Sequence, residues 1–244
     1  MSIFRKQDEN GNYPIKPKLT ERLERILDGI YGIENMDAKF GKALSREENE
    51  IRLFVLTQSP VLGHIPSTDE IRKAFSQLSI EEVDAILNLL DKKDIIHLND
   101  ERTLITAAYP FSATETSHFV NLKKEGFKKM YAMCAIDALG MPFMFNCDAS
   151  IHSKCAHCND DVELEIKNNE IIFPEPRNVV VWYDLDLSCC AAASCCPNTN
   201  FFSAKEHFLQ WQQENKARKG NLVLIGEALY LGKFYFENRL KDNG

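Results

Sequence analysis

Nowhere does the 244-residue chain hold an apolar run near the roughly 18 to 20 residues of a membrane span. The opening stretch "MSIFRKQDENGNYPIKPKL" also lacks the apolar core that a secretory signal needs. The expectation is a cytoplasmic protein without a membrane partner. Positive charge is short as well: Lys plus Arg total 29 against 36 for Asp plus Glu, a formal net charge of -7. No strong basic stretch offsets this, so contact with a phosphate backbone is not expected to be the main task, and a nucleic-acid partner is disfavoured.

What the chain has in ordinary measure is core: 44% hydrophobic and 10% aromatic residues, enough for one large or two small hydrophobic cores. What it has in excess is sulfur, with 8 cysteines. In a reducing compartment these are not expected to form structural disulfides, which leaves metal binding or thiol chemistry.

The patterning divides the chain into three parts. Residues 1–40 read as a polar arm followed by a short amphipathic helix, "ERLERILDGIYGI", with Thr20 as its cap. Residues 41–112 carry three helix starts at capping-box spacing, Ser45 with Glu48, Ser67 with Glu70 and Ser79 with Glu82, each ahead of an apolar face. The alternating "IIHLNDERTLITAAYPF" follows, with a polar tip at Asn99, Asp100 and Glu101, and reads as a hairpin or wing. Helix, helix, helix, wing is the winged helix-turn-helix pattern. From Arg46 to Arg102, however, seven basic residues face twelve acidic ones, the wrong sign for a DNA footprint. A structural role as lid or scaffold is expected for this part.

Residues 113–244 hold every cysteine and read as an α+β domain with antiparallel strands. "GFKKMYAMCAIDALGMPFMF" predicts a buried helix ending near Gly140 and Pro142. "DVELEIKNNEIIF" predicts two strands joined by an Asn168-Asn169 turn, and "NVVVWYDLDL" a further strand. "SAKEHFLQWQQENKARKG" predicts a helix capped by Ser203 with Glu206 and closed by Gly220, and "LVLIG" a last strand.

Three cysteine groups could carry chemistry. Cys134 and Asp137 are three apart; on a helix they would share a face, with Cβ atoms about 5 to 6 Å from each other, pairing a soft nucleophile with an acid or base. The plainer reading makes Cys134 a small core residue. A carboxyl in so apolar a stretch nevertheless needs a partner or a purpose, and burial would favour its protonated form. "KCAHCND" supplies Cys155 and Cys158 at C-x2-C spacing beside His152 and His157, half of a zinc knuckle. The missing half could be drawn only from Cys189, Cys190, Cys195 and Cys196, and adjacent cysteines offer two sulfurs to one tetrahedral ion poorly. The third group is "LSCCAAASCCPNTNFF", in which Cys196-Pro197 precedes two aromatics expected to enter the core.

Taken in order, "YAMCAIDALGMPFMF", the later "CCPNTNFFSAKEHFLQW" and the winged-helix-like region resemble the organomercurial (alkylmercury) lyase family over about residues 45–240. The resemblance implies that Cys134 and Cys196 are the two thiolates and Asp137 the carboxylate of a site that captures R-Hg+ and cleaves its carbon-mercury bond by protonolysis. It leaves a hydrocarbon and Hg(II) held by two sulfurs. Cys196 stands five residues before Phe201, the offset of the family's catalytic cysteine from its aromatic pair, with Cys195 as the alternative metal ligand. Cys155 would be structural. No organic cofactor is implied. The implied partners are the organomercurial substrate and, as Hg(II) acceptor, small cytosolic thiols or mercuric reductase.

This chain departs from the family pattern at Met133, where some members have tryptophan, and in its extra Cys147, Cys158, Cys189 and Cys190. Two other readings stay open on the residues alone. One is a thiol-rich metal-binding or metal-sensing protein without lyase activity. The other is an inert relative whose cysteines are core or surface residues.

Overall fold

The computed structural model describes residues 21–31, 44–185 and 190–241. The N-terminal arm, the Thr20 cap and Cys189 lie outside the described residues. Helix α1 (Glu21–Tyr31) belongs to a unit of its own. Its Leu23, Ile26 and Leu27 recur at helical spacing, as the sequence predicts. All that follows concerns the second unit, Asp37–Gly244.

Helices α2 (Arg46–Leu62), α3 (Thr68–Ala74) and α4 (Ile80–Lys92) all start as the sequence anticipates. In each, the cap serine accepts the N–H of the third helical residue, and that residue's glutamate accepts the serine N–H. The reciprocal distances are 3.2 and 2.7 Å for Ser45/Glu48, 3.3 and 2.8 Å for Ser67/Glu70, and 3.2 and 2.8 Å for Ser79/Glu82. Two N–H groups that a helix start otherwise leaves unpaired are thereby satisfied at every entry.

Strands β1 (Ile96–Leu98) and β2 (Ile105–Ala108) form the expected hairpin. At its tip Asn99 Oδ1 accepts the N–H groups of Thr103 and Leu104, both at 2.9 Å. The hairpin opens an eight-stranded sheet in which every neighbouring pair is antiparallel. The other strands are β3 (Phe111–Ser112), β4 (Phe119–Leu122), β5 (Met130–Ala132), β6 (Ala149–Lys154), β7 (Asp161–Lys167) and β8 (Glu170–Glu175). Their order is β1-β2-β3-β5-β4-β6-β7-β8. Between β7 and β8, Asn168 and Asn169 both take positive φ, 50° and 67°, as a tight hairpin requires.

Three expectations need correction. The stretch around Met130 is strand, because residues 130–132 pair with both β3 and β4, and the helix α5 begins only at Ala135. That helix (Ala135–Phe145) runs past Gly140 and Pro142 to Asn146, whose left-handed backbone (φ 48°) ends it. Tertiary burial outweighs the proline penalty here, since every residue of α5 is buried. Third, Ser203 does not cap α6 (Lys205–Glu214): Ala204 holds the cap position without a side-chain bond, and the helix closes at Asn215. Gly220 instead opens strand β11 (Gly220–Leu224).

β11 joins β9 (Val180–Asp184) and β10 (Asn200–Phe202) in a three-stranded antiparallel sheet, order β10-β9-β11. Helix α7 (Ile225–Phe236) then packs against α5 at a glycine crossing. A Cβ on Gly232 would stand 2.8 Å from the backbone nitrogen of Gly140, closer than any side chain can approach. The mixed helix and antiparallel-sheet architecture thus wraps the apolar α5. Among the described residues no helix is long and apolar enough to cross a membrane.

Candidate active site

The chain leaves β5 and enters α5 through Cys134, which has extended backbone (φ -156°, ψ 177°) and occupies the N-cap. Its Sγ accepts the N–H of Asp137 at 3.4 Å. A sulfur thus stands where a serine or threonine oxygen usually does. Cys134 is therefore not on the helix face, as the spacing suggests, but one residue before it, and the cap bond brings it beside Asp137 all the same. Asp137, at the third helical position, sits where a helix start favours negative charge. Ala135 N–H donates to Thr199 O at 3.0 Å, tying this entry to the cysteine-rich loop.

That loop is folded by its own backbone. Cys196 N–H donates to Ala191 O at 2.9 Å, Pro197 starts a single 3-10 turn (Cys196–Asn198), and Thr199 N–H returns to Cys195 O at 3.0 Å. β10 follows, and its Phe201 and Phe202 are fully buried, the anchoring that the sequence anticipates. From the other side Arg218 grips the loop. Its Nε donates to the buried Asp184 Oδ2 at 2.7 Å and its Nη2 to Ser194 O at 3.2 Å.

The two segments deliver Cys134, Asp137 and Cys196 to one point. The two sulfurs and a carboxylate oxygen lie within 4.8 Å of one another, and all three residues are buried. Cys196 Sγ donates toward Asp137 Oδ2 at 3.8 Å. Burial pushes the Cys134 thiol up to about 12, and the Asp137 charge works in the same direction. Cys196 is raised by its hydrogen bonds with Cys134 and Cys195 and then by burial. Both sulfurs accordingly hold their protons more tightly than an exposed thiol does.

Three tyrosines that the sequence does not single out surround the cluster. Tyr109 OH accepts the N–H of Ala192 at 2.8 Å and donates to Asp94 at 3.0 Å, while Tyr183 and Tyr235 hydrogen-bond through their hydroxyls. All three phenols are raised, chiefly by burial, and also by the nearby cysteines. They are neutral hydroxyls around a sulfur pair. Nothing in their spacing marks them, because they come from a turn, a strand and a helix far apart in sequence.

Of the other described thiols, Cys195 adjoins the cluster through its hydrogen bond with Cys196, and the rest go elsewhere. Cys195 is half-buried, neighbours Cys196, and turns its Sγ toward Ala191 O at 3.7 Å. Cys190 lies with Asp94 and His97 in a second group. Cys147 follows the end of α5. Cys155 and Cys158 meet His207 of α6, with Nδ1 at 3.6 and 3.3 Å from their sulfurs. The third donor of the C-x2-C pair is thus a histidine, and no cysteine of the 190–196 loop joins it among the described residues. His207 could have been found from its place on a helix that returns beside the knuckle, but only once that helix's position was known.

Residues 111–237 match the family model described as alkylmercury lyase. The chain is 25% identical over 166 residues to an alkylmercury lyase of Staphylococcus epidermidis, an alignment covering 68% of this chain and 72% of the relative. It is 27% identical over 108 residues to alkylmercury lyases of Bacillus cereus and Clostridium butyricum; there it spans about half of the relatives' length, 48%, and 43% of its own. Its fold is similar to a crystal structure described as the mercury-bound form of MerB2. The TM-score is 0.69 at 20% identity, covering 91% of this chain and 100% of that one.

Proposed function

The chain belongs to the alkylmercury lyase family, and from that premise we propose that it cleaves carbon-mercury bonds by protonolysis, with Cys134 and Cys196 as sulfur ligands and Asp137 as the proton carrier. The observation that carries this reading is the convergence of two sulfurs and one carboxylate oxygen within 4.8 Å in a buried site.

The chemistry follows from softness and from position. Organomercury cations are soft, and thiolates are the soft ligands a protein can offer, so R-Hg+ exchanges for the thiol proton of one cysteine. As the second sulfur binds, its proton leaves as well. Cys196 already directs its S–H at Asp137 Oδ2, which gives that proton an acceptor. The second thiolate adds electron density to mercury and weakens its bond to carbon. Asp137 then returns the proton to the departing carbon, a general-acid step. In balance, R-Hg+ and two thiols give R-H, Hg(II) bound by two thiolates, and one released proton. No oxidation state changes, so no electron-carrying cofactor is needed. Burial assists because a site shielded from water keeps the proton passed from Cys196 to Asp137 for the carbon.

The bound Hg(II) has to be passed to other thiols, and small cytosolic thiols or mercuric reductase fit that task. Cys195, partly exposed beside Cys196, is placed to take part in the exchange. Residues 41–112 serve as a winged-helix-like scaffold rather than a DNA reader, given the acidic excess across them. The test is direct. Reduced, metal-free protein incubated with phenylmercury or methylmercury and excess thiol should release benzene or methane; absence of hydrocarbon from well-folded protein refutes the reading.

A further inference from the structure

We propose that Cys155, Cys158 and His207 form a zinc site with two sulfur ligands, one nitrogen ligand and an open fourth position, separate from the lyase cluster. Their donor atoms lie within 4.8 Å of one another. For tetrahedral zinc with Zn–S near 2.3 Å and Zn–N near 2.0 Å, sulfur and nitrogen should stand about 3.5 Å apart. The observed separations from His207 Nδ1 are 3.6 Å to Cys155 and 3.3 Å to Cys158. Linear two-sulfur coordination, which suits Hg(II), has no use for the nitrogen.

The turn that carries both cysteines is closed by its own backbone. Asn159 takes a positive φ of 63°, its N–H donates to Cys155 O at 2.9 Å, and Cys155 N–H donates to Asp160 O at 2.8 Å. The backbone N–H groups of His157, Cys158 and Ser203 are directed at the Cys155 sulfur. Ser203 Oγ now lies 2.7 Å from His207 Nδ1, and on metal binding that nitrogen changes partner while Oγ can turn to Cys158 Sγ, 3.8 Å away.

The ion would clamp the β6–β7 turn to the start of α6. Ala156 N–H already donates to Phe201 O at 3.0 Å, so the clamp also braces β10, the strand that follows Cys196. The site does not depend on the lyase reading, and the two fail separately.

The test uses the full reduced chain, stripped with a chelator and titrated with Zn(II) or, as a spectroscopic probe, Co(II). Expected are one zinc retained per chain after gel filtration, a thiolate-to-cobalt charge-transfer band, and a rise in Tm with zinc. Cys158→Ser, at an exposed position, and His207→Ala should each lose all three, while Cys196→Ser keeps them. A folded wild-type chain that retains no zinc overturns the proposal. So does a cobalt band lost in Cys196→Ser but kept in Cys158→Ser, or a site that takes Hg(II) and refuses Zn(II).

Discussion

The backbone N–H of Asp137 donates to the sulfur of Cys134 at 3.4 Å, so a proposed mercury ligand is also the cap of the helix that carries the proposed acid. One bond thereby couples the start of α5 to the geometry of the site. The capping task and the metal task can be separated, because oxygen caps better than sulfur but is a poor ligand for mercury. Cys134→Ser should therefore fold with a stability within about 1 kcal/mol of the wild type, the scale of a single cap. Mercurial binding, followed by displacement of a chromophoric thiol, should collapse. A large loss of stability without loss of binding would refute the assignment.

Asp137 and Cys196 should fail differently. Asp137→Ala removes the proposed proton carrier but leaves both sulfurs, so the mercurial should still bind while hydrocarbon release drops by about 10²- to 10⁴-fold, the usual worth of a general acid. Cys196→Ser removes the second sulfur and should abolish turnover. Cys195→Ser keeps a hydroxyl that can hydrogen-bond beside Cys196 and leaves the Cys134, Asp137 and Cys196 set intact, so it should cost far less. Single-turnover assays with phenylmercury separate the three; equal losses in Cys195→Ser and Cys196→Ser would remove the distinction.

His118 gives the fold a pH dependence of its own. It is buried between Ser153 Oγ at 2.9 Å and Asn200 Oδ1 at 3.2 Å, and burial lowers its pKa from 6.5 to about 4. The unfolded chain then binds more protons than the folded one between these values, so stability is full above about pH 6.5 and is lost as pH falls toward 4. The loss should reach roughly 3 kcal/mol, since each tenfold difference in proton affinity between the two states is worth about 1.36 kcal/mol. Urea midpoints measured from pH 7 to pH 4.5 should fall for the wild type and stay flatter for His118→Gln.

Local signals were legible in the sequence where they are local in physics. Ser45, Ser67 and Ser79 cap their helices because each needs only a glutamate three residues on. The Asn168-Asn169 turn needs only two residues that tolerate positive φ. Ser203 shows the limit: the same spacing to Glu206 is present, but its hydroxyl is drawn to His207 Nδ1 at 2.7 Å. Met130–Ala132 reads as helix by apolarity and becomes strand because β3 and β4 flank it, a pairing between segments distant in sequence. The residues of the Cys134, Asp137 and Cys196 cluster were readable by type and by family resemblance. Tyr109, Tyr183, Tyr235 and His207 were not, since only tertiary packing brings them to the sulfurs.

The glycine crossing beneath the site supplies the last prediction. At Gly140 an added Cβ would meet the buried Phe236 ring, 2.0 Å away at its nearest atom and 2.8 Å at Cγ, so the whole side chain must move but no backbone has to. At Gly232 it would meet backbone, Gly140 N at 2.8 Å and Leu139 C at 2.9 Å, and backbone yields only if α5 and α7 move apart. Gly232→Ala should thus destabilise by about 1 to 3 kcal/mol, the range for an overpacked core. Gly140→Ala should also destabilise, but by repacking Phe236 rather than by parting the helices. Because α5 holds Asp137 and its cap Cys134, parting the helices also shifts the carboxylate relative to Cys196. Gly232→Ala should lose turnover beyond what its folded fraction explains, whereas Gly140→Ala should not. Thermal melts paired with hydrocarbon release per folded molecule measure both; equal behaviour of the two variants would show that the crossing does not set the geometry of the site.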